Sequence, residues 1–262
     1  MRRSASWILF ILLLVTILGG LAMAKGGKTV TREALRWTGK LAAAQSLRLR
    51  NVNGSIKIEA AAGDTAEIVA TETRPDGMTE QATVQAVPAK DGLVVCVMYP
   101  GEPGHCEADG RYDAGGDGND GLSVALVVKL PRGVLVDAMT VNGEIGVRGA
   151  SAQVRAVTVN GSVDVETGGA PLKVETVNGQ VRVRVGAGDV KAKTVNGSVE
   201  VAVPAALDAE VRAETVHGSI DNDFGLRAEG DYGQRSLRGK VGKGTNKVTL
   251  QTVNGSIRLL KQ

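Results

Sequence analysis

The sequence predicts an all-β, turn-rich protein built from stacked repeats, and three observations carry this expectation. One phrase returns at a fixed interval: T-V-N-G-E-I from Thr140, then T-V-N-G-S-V, T-V-N-G-Q-V and T-V-N-G-S-V. Its asparagines, Asn142, Asn160, Asn178 and Asn196, are 18 residues apart three times running. A short fixed period marks one supersecondary unit copied and stacked. After each glycine the apolar residues alternate, as in Val163 and Val165 or Val181 and Val183, which is the period of a strand with one buried face. Composition agrees: 35 glycines, 3% aromatics and no sustained helical periodicity after the first twenty residues.

The chain opens on a basic Met1-Arg2-Arg3, an apolar run from Trp7 to Leu18, a Gly19-Gly20 break and the small-x-small triplet Ala22-Met23-Ala24. That order predicts a secretory signal peptide over residues 1–24, cleaved before Lys25. An uncleaved membrane anchor is the alternative, since residues 7–24 approach the roughly 20 apolar residues of a spanning helix. No cysteine follows the site to carry a lipid. Residues 25–34 read as a polar lead-in and 35–262 as one domain. Arg32 to Lys40 fits a helix start or a strand, with Leu35, Trp37 and Leu41 favouring a strand face. Leu47, Leu49, Asn53-Gly54, Ile56 and Ile58 form a first loose copy of the repeat, followed by strand-like runs at 66–73, 82–87 and 93–98.

Residues 99–121 form a long irregular loop rich in Gly and Asp. Cys96 at its edge and Cys106 within it are the only cysteines, and in an exported chain they are expected to form a disulfide. Closing so small a loop contributes roughly 2–3 kcal/mol in the chain-entropy picture. Asp109, Asp113, Asp117, Asn119 and Asp120 invite a calcium reading, but they lack the EF-hand order of alternating ligands, Gly at six and Glu at twelve. A solvated turn is the expectation there, with no metal and no cofactor.

Leu122 to Leu130 reads as a strand, Pro131-Arg132-Gly133 as a turn, and residues 138–222 as the strict repeats. Each repeat pairs the strand after its glycine with a second one led by Val154, Leu172, Val190 or Val211. A looser copy follows at His217-Gly218. After a Gly-rich insertion over 223–246, the last copy comes at Asn254-Gly255, which reads as the end cap.

Two folds accommodate this pattern. In a parallel β-solenoid each repeat is one coil, and equivalent residues stack about 4.8 Å apart. The asparagines then form an amide ladder, and Gly143, Gly161, Gly179 and Gly197 take positive-φ corners. In an antiparallel hairpin meander each Asn-Gly is a type I′ turn. Charge columns do not separate the two. Solenoid stacking aligns Asp164, Arg182 and Glu200, and also Arg148, Glu166 and Arg184, both alternating in sign. It equally aligns an all-basic stripe of Arg155, Lys173, Lys191 and Arg212.

The T-V-N-G-[S/E]-[I/V] phrases resemble those of the bacterial putative-adhesin family. So do the Val95-Cys96-Val97-Met98-Tyr99-Pro100 segment, Leu130-Pro131-Arg132-Gly133, Asp223-Phe224, Leu237-Arg238-Gly239 and the terminal T-V-N-G-S-I-R-L. This is a group of exported β-strand-repeat proteins akin to GIN-type head domains. The resemblance implies a parallel β-solenoid, of right-handed form, and an envelope or cell-surface location. It defines no catalytic residues. His217 departs from it by replacing the repeat asparagine, and Gly225 stands where many relatives have proline.

Near-balanced charge and scarce aromatics exclude a nucleic-acid reading. A β-helix hydrolase or lyase needs paired carboxylates, and only Asp221 and Asp223 are candidates. A Ser-His-Asp site would have to use His105 in the cysteine loop or His217 in a repeat turn. The expectation is therefore a non-enzymatic binding module that meets an envelope or surface component. The basic stripe, partly neutralised by Glu175 and Glu214, reads as an ordinary solvated face or, in the functional reading, as a surface that meets an anionic polysaccharide or lipid surface. A structural or regulatory envelope scaffold is the alternative.

Overall fold

The computed structural model describes residues 28–116, 121–169, 171–230 and 234–262, and no helix occurs among them. The expected signal segment lies outside the described residues. The strands before the strict repeats are β1 (Thr29–Lys40), β2 (Ser46–Arg50), β3 (Ile56–Ala60), β4 (Thr65–Pro75), β5 (Thr83–Ala89) and β6 (Gly92–Met98). They are followed by the two-residue strands β7 (His105–Cys106) and β8 (Tyr112–Asp113), and by β9 (Ser123–Leu130). Four coils of two strands each come next: β10 (Leu135–Met139) and β11 (Ile145–Ala150), β12 (Val154–Val157) and β13 (Val163–Thr167), β14 (Leu172–Glu175) and β15 (Val181–Val185), β16 (Val190–Lys193) and β17 (Val199–Val203). The chain closes with β18 (Ala209–His217), β19 (Ile220–Asn222), β20 (Ala228–Glu229), β21 (Arg235–Val241), β22 (Asn246–Asn254) and β23 (Ile257–Lys261).

These strands make two facing sheets of an open β-solenoid. The first runs β1-β4-β9-β3-β11-β13-β15-β17-β23-β19, the second β20-β21-β18-β22-β16-β14-β12-β10-β2-β6-β5. Every pairing between repeat coils is parallel, and the four strict coils pair at the 18-residue period, as in Val163 with Val181 and Val181 with Val199. That decides against the hairpin meander, because a type I′ turn would join antiparallel neighbours. Valine dominates because a branched side chain on a strand packs well against the identical one above and below it. Val163, Val165, Val181, Val199 and Val201 are fully buried between the sheets.

Three features depart from the sequence reading. Strand β1 begins at Thr29, so most of the expected lead-in is ordered against β4, with a bulge between Glu33 and Leu35. The 99–121 loop contains the β7–β8 ribbon, tied to β6 by the Cys96–Cys106 disulfide with a Cα–Cα distance of 5.9 Å.

The third departure concerns the end of the stack. The Asn254 copy is not the cap. Its strands β22 and β23 insert between the Asn196 coil and the His217 coil, so Val190 pairs with Val248 and Val248 with Val211. The chain runs past this position, forms β18 and β19, and returns through β21, which pairs antiparallel with β18. Strands β21 and β22 thus clasp β18 from both sides. Asp208 fixes the connection between them: Gly244 N–H and Thr245 N–H donate to its Oδ1 at 2.5 and 3.3 Å, and the Thr245 hydroxyl to its Oδ2 at 2.7 Å. The Thr245 hydroxyl, with these N–H groups, holds the Asp208 carboxyl below its usual range.

The antiparallel strands β1, β4, β5, β20 and β21 sit at the sheet ends, away from the regular stack. Near one end Glu72 of β4 is wholly buried. It accepts from Arg32 Nε and Nη2 at 3.1 and 2.7 Å, from Arg74 at 2.6 Å and from the Ala82 N–H at 2.8 Å.

Candidate interaction surface

Each residue of the repeated phrase has a separate task at the corner between the sheets. The threonine points inward. Thr158, Thr176, Thr194, Thr252 and Thr215 are buried, and their hydroxyls donate at 2.9 Å to the carbonyls of Gly143, Gly161, Gly179, Gly197 and Gly255 in the adjoining coil. A buried carbonyl at a corner would otherwise lose its water partner. Asn51 holds this position in the first copy and donates to the Val124 carbonyl at 2.8 Å.

The asparagine points outward. Asn142 donates to Asn53 at 2.7 Å; Asn160 to Asn142, Asn178 to Asn160, Asn196 to Asn178 and Asn254 to Asn196 each at 2.8 Å. The amide ladder expected from the spacing is therefore present. It lies at the solvent-exposed rim, and its order is 53, 142, 160, 178, 196, 254, with His217 beyond Asn254.

The glycines correct the positive-φ expectation. Only Gly54, Gly197 and Gly255 of the series have φ in the left-handed half, at 126°, 156° and 158°. What all share is close approach. A Cβ on Gly143, Gly161, Gly179, Gly197, Gly255 or Gly218 would stand 2.0–2.1 Å from the carbonyl oxygen of the glycine in the next coil. The Asn-Gly series is thus structural, and the surfaces open to a partner are the outer faces of the two sheets.

On the second sheet Arg155, Lys173 and Lys191 occupy one column on adjacent strands. Arg212 does not adjoin Lys191. The inserted β22 places Thr249 between them, pairing with each. Several members already hold carboxylates: Arg155 contacts Asp137 at 2.7 Å, Lys173 contacts Glu175 at 3.3 Å and Arg212 contacts Glu210 at 2.7 Å. Asp137 also binds Arg50 at 2.6 Å. Burial pushes its carboxyl up, and the Arg50 and Arg155 guanidiniums more than offset this, leaving it below the usual range. Lys191 has no ion pair among the described residues. Beside it, burial and then the charge of Lys191 pull the Lys193 ammonium below the usual lysine range.

On the first sheet the two alternating columns stand as read. Asp164 pairs with Arg182 and Arg182 with Glu200, and alongside them Arg148 with Glu166 and Glu166 with Arg184. Arg258 and Asp221 extend the first column through the inserted coil and the last one. A groove of about 840 Å³ lies over this face, lined among others by Arg148, Asp164, Glu166, Arg182, Arg184 and Glu200.

The remaining candidates are accounted for locally. Asp221 accepts from the Ser219 hydroxyl at 3.0 Å and Asp223 from the Lys261 N–H at 2.9 Å. Asp109 binds Arg111, and Asp113 caps the Gly115 N–H. Among the described residues no three His, Cys, Asp or Glu side chains converge on a metal position. Asp117, Asn119 and Asp120 lie outside the described residues.

Sequence reasoning missed the threonine column, the Glu72 cluster and the place of Arg258. A threonine at one position in six of seven copies was the available signal for the first. Nothing local marked Glu72, whose partner Arg32 lies 40 residues away.

A stack of short parallel strands with a corner ladder defines a β-solenoid-type repeat domain. The chain belongs to the Toastrack DUF4097 family, whose model matches residues 40–260. No curated protein matches. Among solved structures, the chain is similar to a putative cell adhesion protein from Clostridium sporogenes, at 12% identity and a TM-score of 0.44, covering 88% of this chain and 100% of that one. A putative adhesin from Bacteroides fragilis matches at 11% identity and a TM-score of 0.31, covering 88% and 97%. Another from Parabacteroides distasonis matches at 10% and 0.23, covering 90% and 98%.

Proposed function

We propose that the protein is an exported, non-catalytic adhesin-like module that uses the outer face of its second sheet to hold a linear anionic component of the cell envelope or surface. The observation that supports this most is the in-register run of Arg155, Lys173 and Lys191 on three adjacent strands. A solenoid repeats one surface group at a fixed pitch of about 4.8 Å, which suits an extended partner with its own repeating charge. Neighbouring cations at that distance repel by somewhat under 1 kcal/mol in water, a small cost for a surface. Asp137 and Glu175 neutralise part of the run, so the reading rests chiefly on Lys173 and Lys191, with Arg212 a separate outlying cation. The basic leader and its A-x-A site support export.

The test is the double variant Lys173→Glu with Lys191→Glu, bound to vesicles containing anionic lipid and, separately, to an acidic polysaccharide. Wild-type binding to one of these should weaken from low to moderate salt, because the Debye length is about 8 Å at physiological ionic strength. The variant should lose that binding at low salt. Unchanged binding by the variant, or wild-type binding indifferent to salt, contradicts the proposal. The ligand that responds distinguishes a lipid surface from a polysaccharide.

A further inference from the structure

The outer face of the first sheet carries its charge in bands. Strand β11 presents Arg148, β13 Asp164 and Glu166, β15 Arg182 and Arg184, β17 Glu200, β23 Arg258 and β19 Asp221. Sign therefore reverses at every step across six adjacent strands, and these side chains are exposed or half-exposed. The pattern is only partly spent within the molecule. Glu200 and Arg258 approach to 3.8 Å, Arg182 donates to Gln180, and among the described residues Arg148, Asp164, Glu166 and Arg184 have no ion pair.

A series that alternates over an even number of strands is its own complement when read backwards. We propose that this face docks on the same face of a second copy of the chain. The two-fold axis would lie between the faces, run parallel to the strands and pass between β15 and β17. That operation reverses the coil order and keeps the strand direction. Arg182 then faces Glu200 of the second copy and Asp164 faces Arg258, and each contact occurs twice, as an isologous interface requires. The other face-to-face two-fold, along the stack, sets every charge opposite its own kind, so the pattern selects one geometry. Charge matching of this sort fixes register and partner more than it adds raw affinity, and the expected product is a weak, salt-sensitive dimer. The groove over this face gives the long side chains of the second copy room to enter. The surface is distinct from the basic column on the opposite sheet, so this inference does not depend on the polymer reading.

The test is sedimentation of the purified exported protein over a wide concentration range at low and moderate salt, with thermal melts to confirm that each variant is folded. Wild type should dimerise at low salt and dissociate as salt rises. Arg182→Glu alone and Glu200→Arg alone should each raise the dissociation constant by about tenfold or more. An equimolar mixture of the two should recover dimer, because in the mixed pair the two altered charges oppose each other at one contact and the unaltered Arg182 and Glu200 remain opposed at the other. Lys173→Glu with Lys191→Glu should leave dimerisation unchanged. If a charge reversal unfolds the protein, Arg182→Gln and Glu200→Gln replace it, each expected to weaken the dimer. A monomer at every concentration in low salt, or a mixture that fails to recover dimer, overturns the proposal.

Discussion

Gly179→Ala is expected to destabilise the protein by about 3 kcal/mol or more, the upper end of what overpacking costs. The added Cβ would stand 2.1 Å from the Gly161 carbonyl oxygen. That oxygen accepts from the buried Thr176 hydroxyl, and the flanking Gly161 and Gly179 N–H groups donate to Asn178 and Asn196. No side chain can swing aside, so two coils must separate or the corner must lose its hydrogen bonds. Backbone strain is not the cause, since Gly179 lies outside the left-handed region. Gly146→Ala is the control: it lies on the outer face of β11 with nothing within 4 Å of its added Cβ. There the change should be neutral or slightly stabilising, because alanine loses less backbone freedom on folding. Urea unfolding of both variants beside wild type measures the difference.

Glu72→Gln is expected to cost about 3 kcal/mol, the lower end for breaking a buried ion pair, because the Arg32 side chain keeps 31% exposure and can turn to water. The carboxylate is wholly buried and serves Arg32, Arg74 and the Ala82 N–H together, tying β1 to β4. Burial pushes its pKa up, but the two guanidiniums and the N–H group outweigh this and hold it below the ordinary glutamate value. Depression fixes the sign of the pH dependence. The unfolded chain binds the proton first, so the stabilisation is full above about pH 4.3, the ordinary glutamate value. It is lost as pH falls through the lower folded-state value. Wild type should therefore lose more stability on acidification than Glu72→Gln, which keeps only the losses from other depressed carboxylates such as Asp137 and Asp208. Equal acid sensitivity in the two proteins would show that the cluster contributes little.

Much of this architecture was legible because a strand repeat writes its period into the chain. The spacing of Asn160, Asn178 and Asn196 gave the coil length, the amide ladder and the charge columns, and the lone pair Cys96 and Cys106 gave the bridge. The insertion of β22 and β23 was not legible. The Asn254 phrase repeats the Asn196 and His217 phrases so closely that any order of stacking fits the local pattern. The order is set by the clasp of β21 and β22 around β18, a long-range arrangement held in part by Asp208. This is also why Arg212 dropped out of the basic stripe and Arg258 joined the alternating column. The glycine was traced to the wrong cause for a related reason. Turn conformation is a property of one residue, whereas contact with the next coil exists only once coils have stacked. The candidate faces were visible as columns of charge, but which members are already neutralised depends on side-chain partners such as Asp137.

The stacking order carries every surface described above, and cysteine pairs at the rim test it most directly. Adjacent rungs lie about 4.8 Å apart, within the usual Cα separation of a disulfide, and rungs two apart are separated by roughly 10 Å, beyond it. The exposed ladder positions tolerate such changes without opening the core. With the Cys96–Cys106 bridge retained, Asn196→Cys with Asn254→Cys should oxidise to an intramolecular disulfide, found by mass spectrometry of the joined peptides, while Asn196→Cys with His217→Cys should not. The reverse outcome, a 196–217 bridge without a 196–254 bridge, would mean that the coils stack in sequence order and would contradict the inserted-coil architecture.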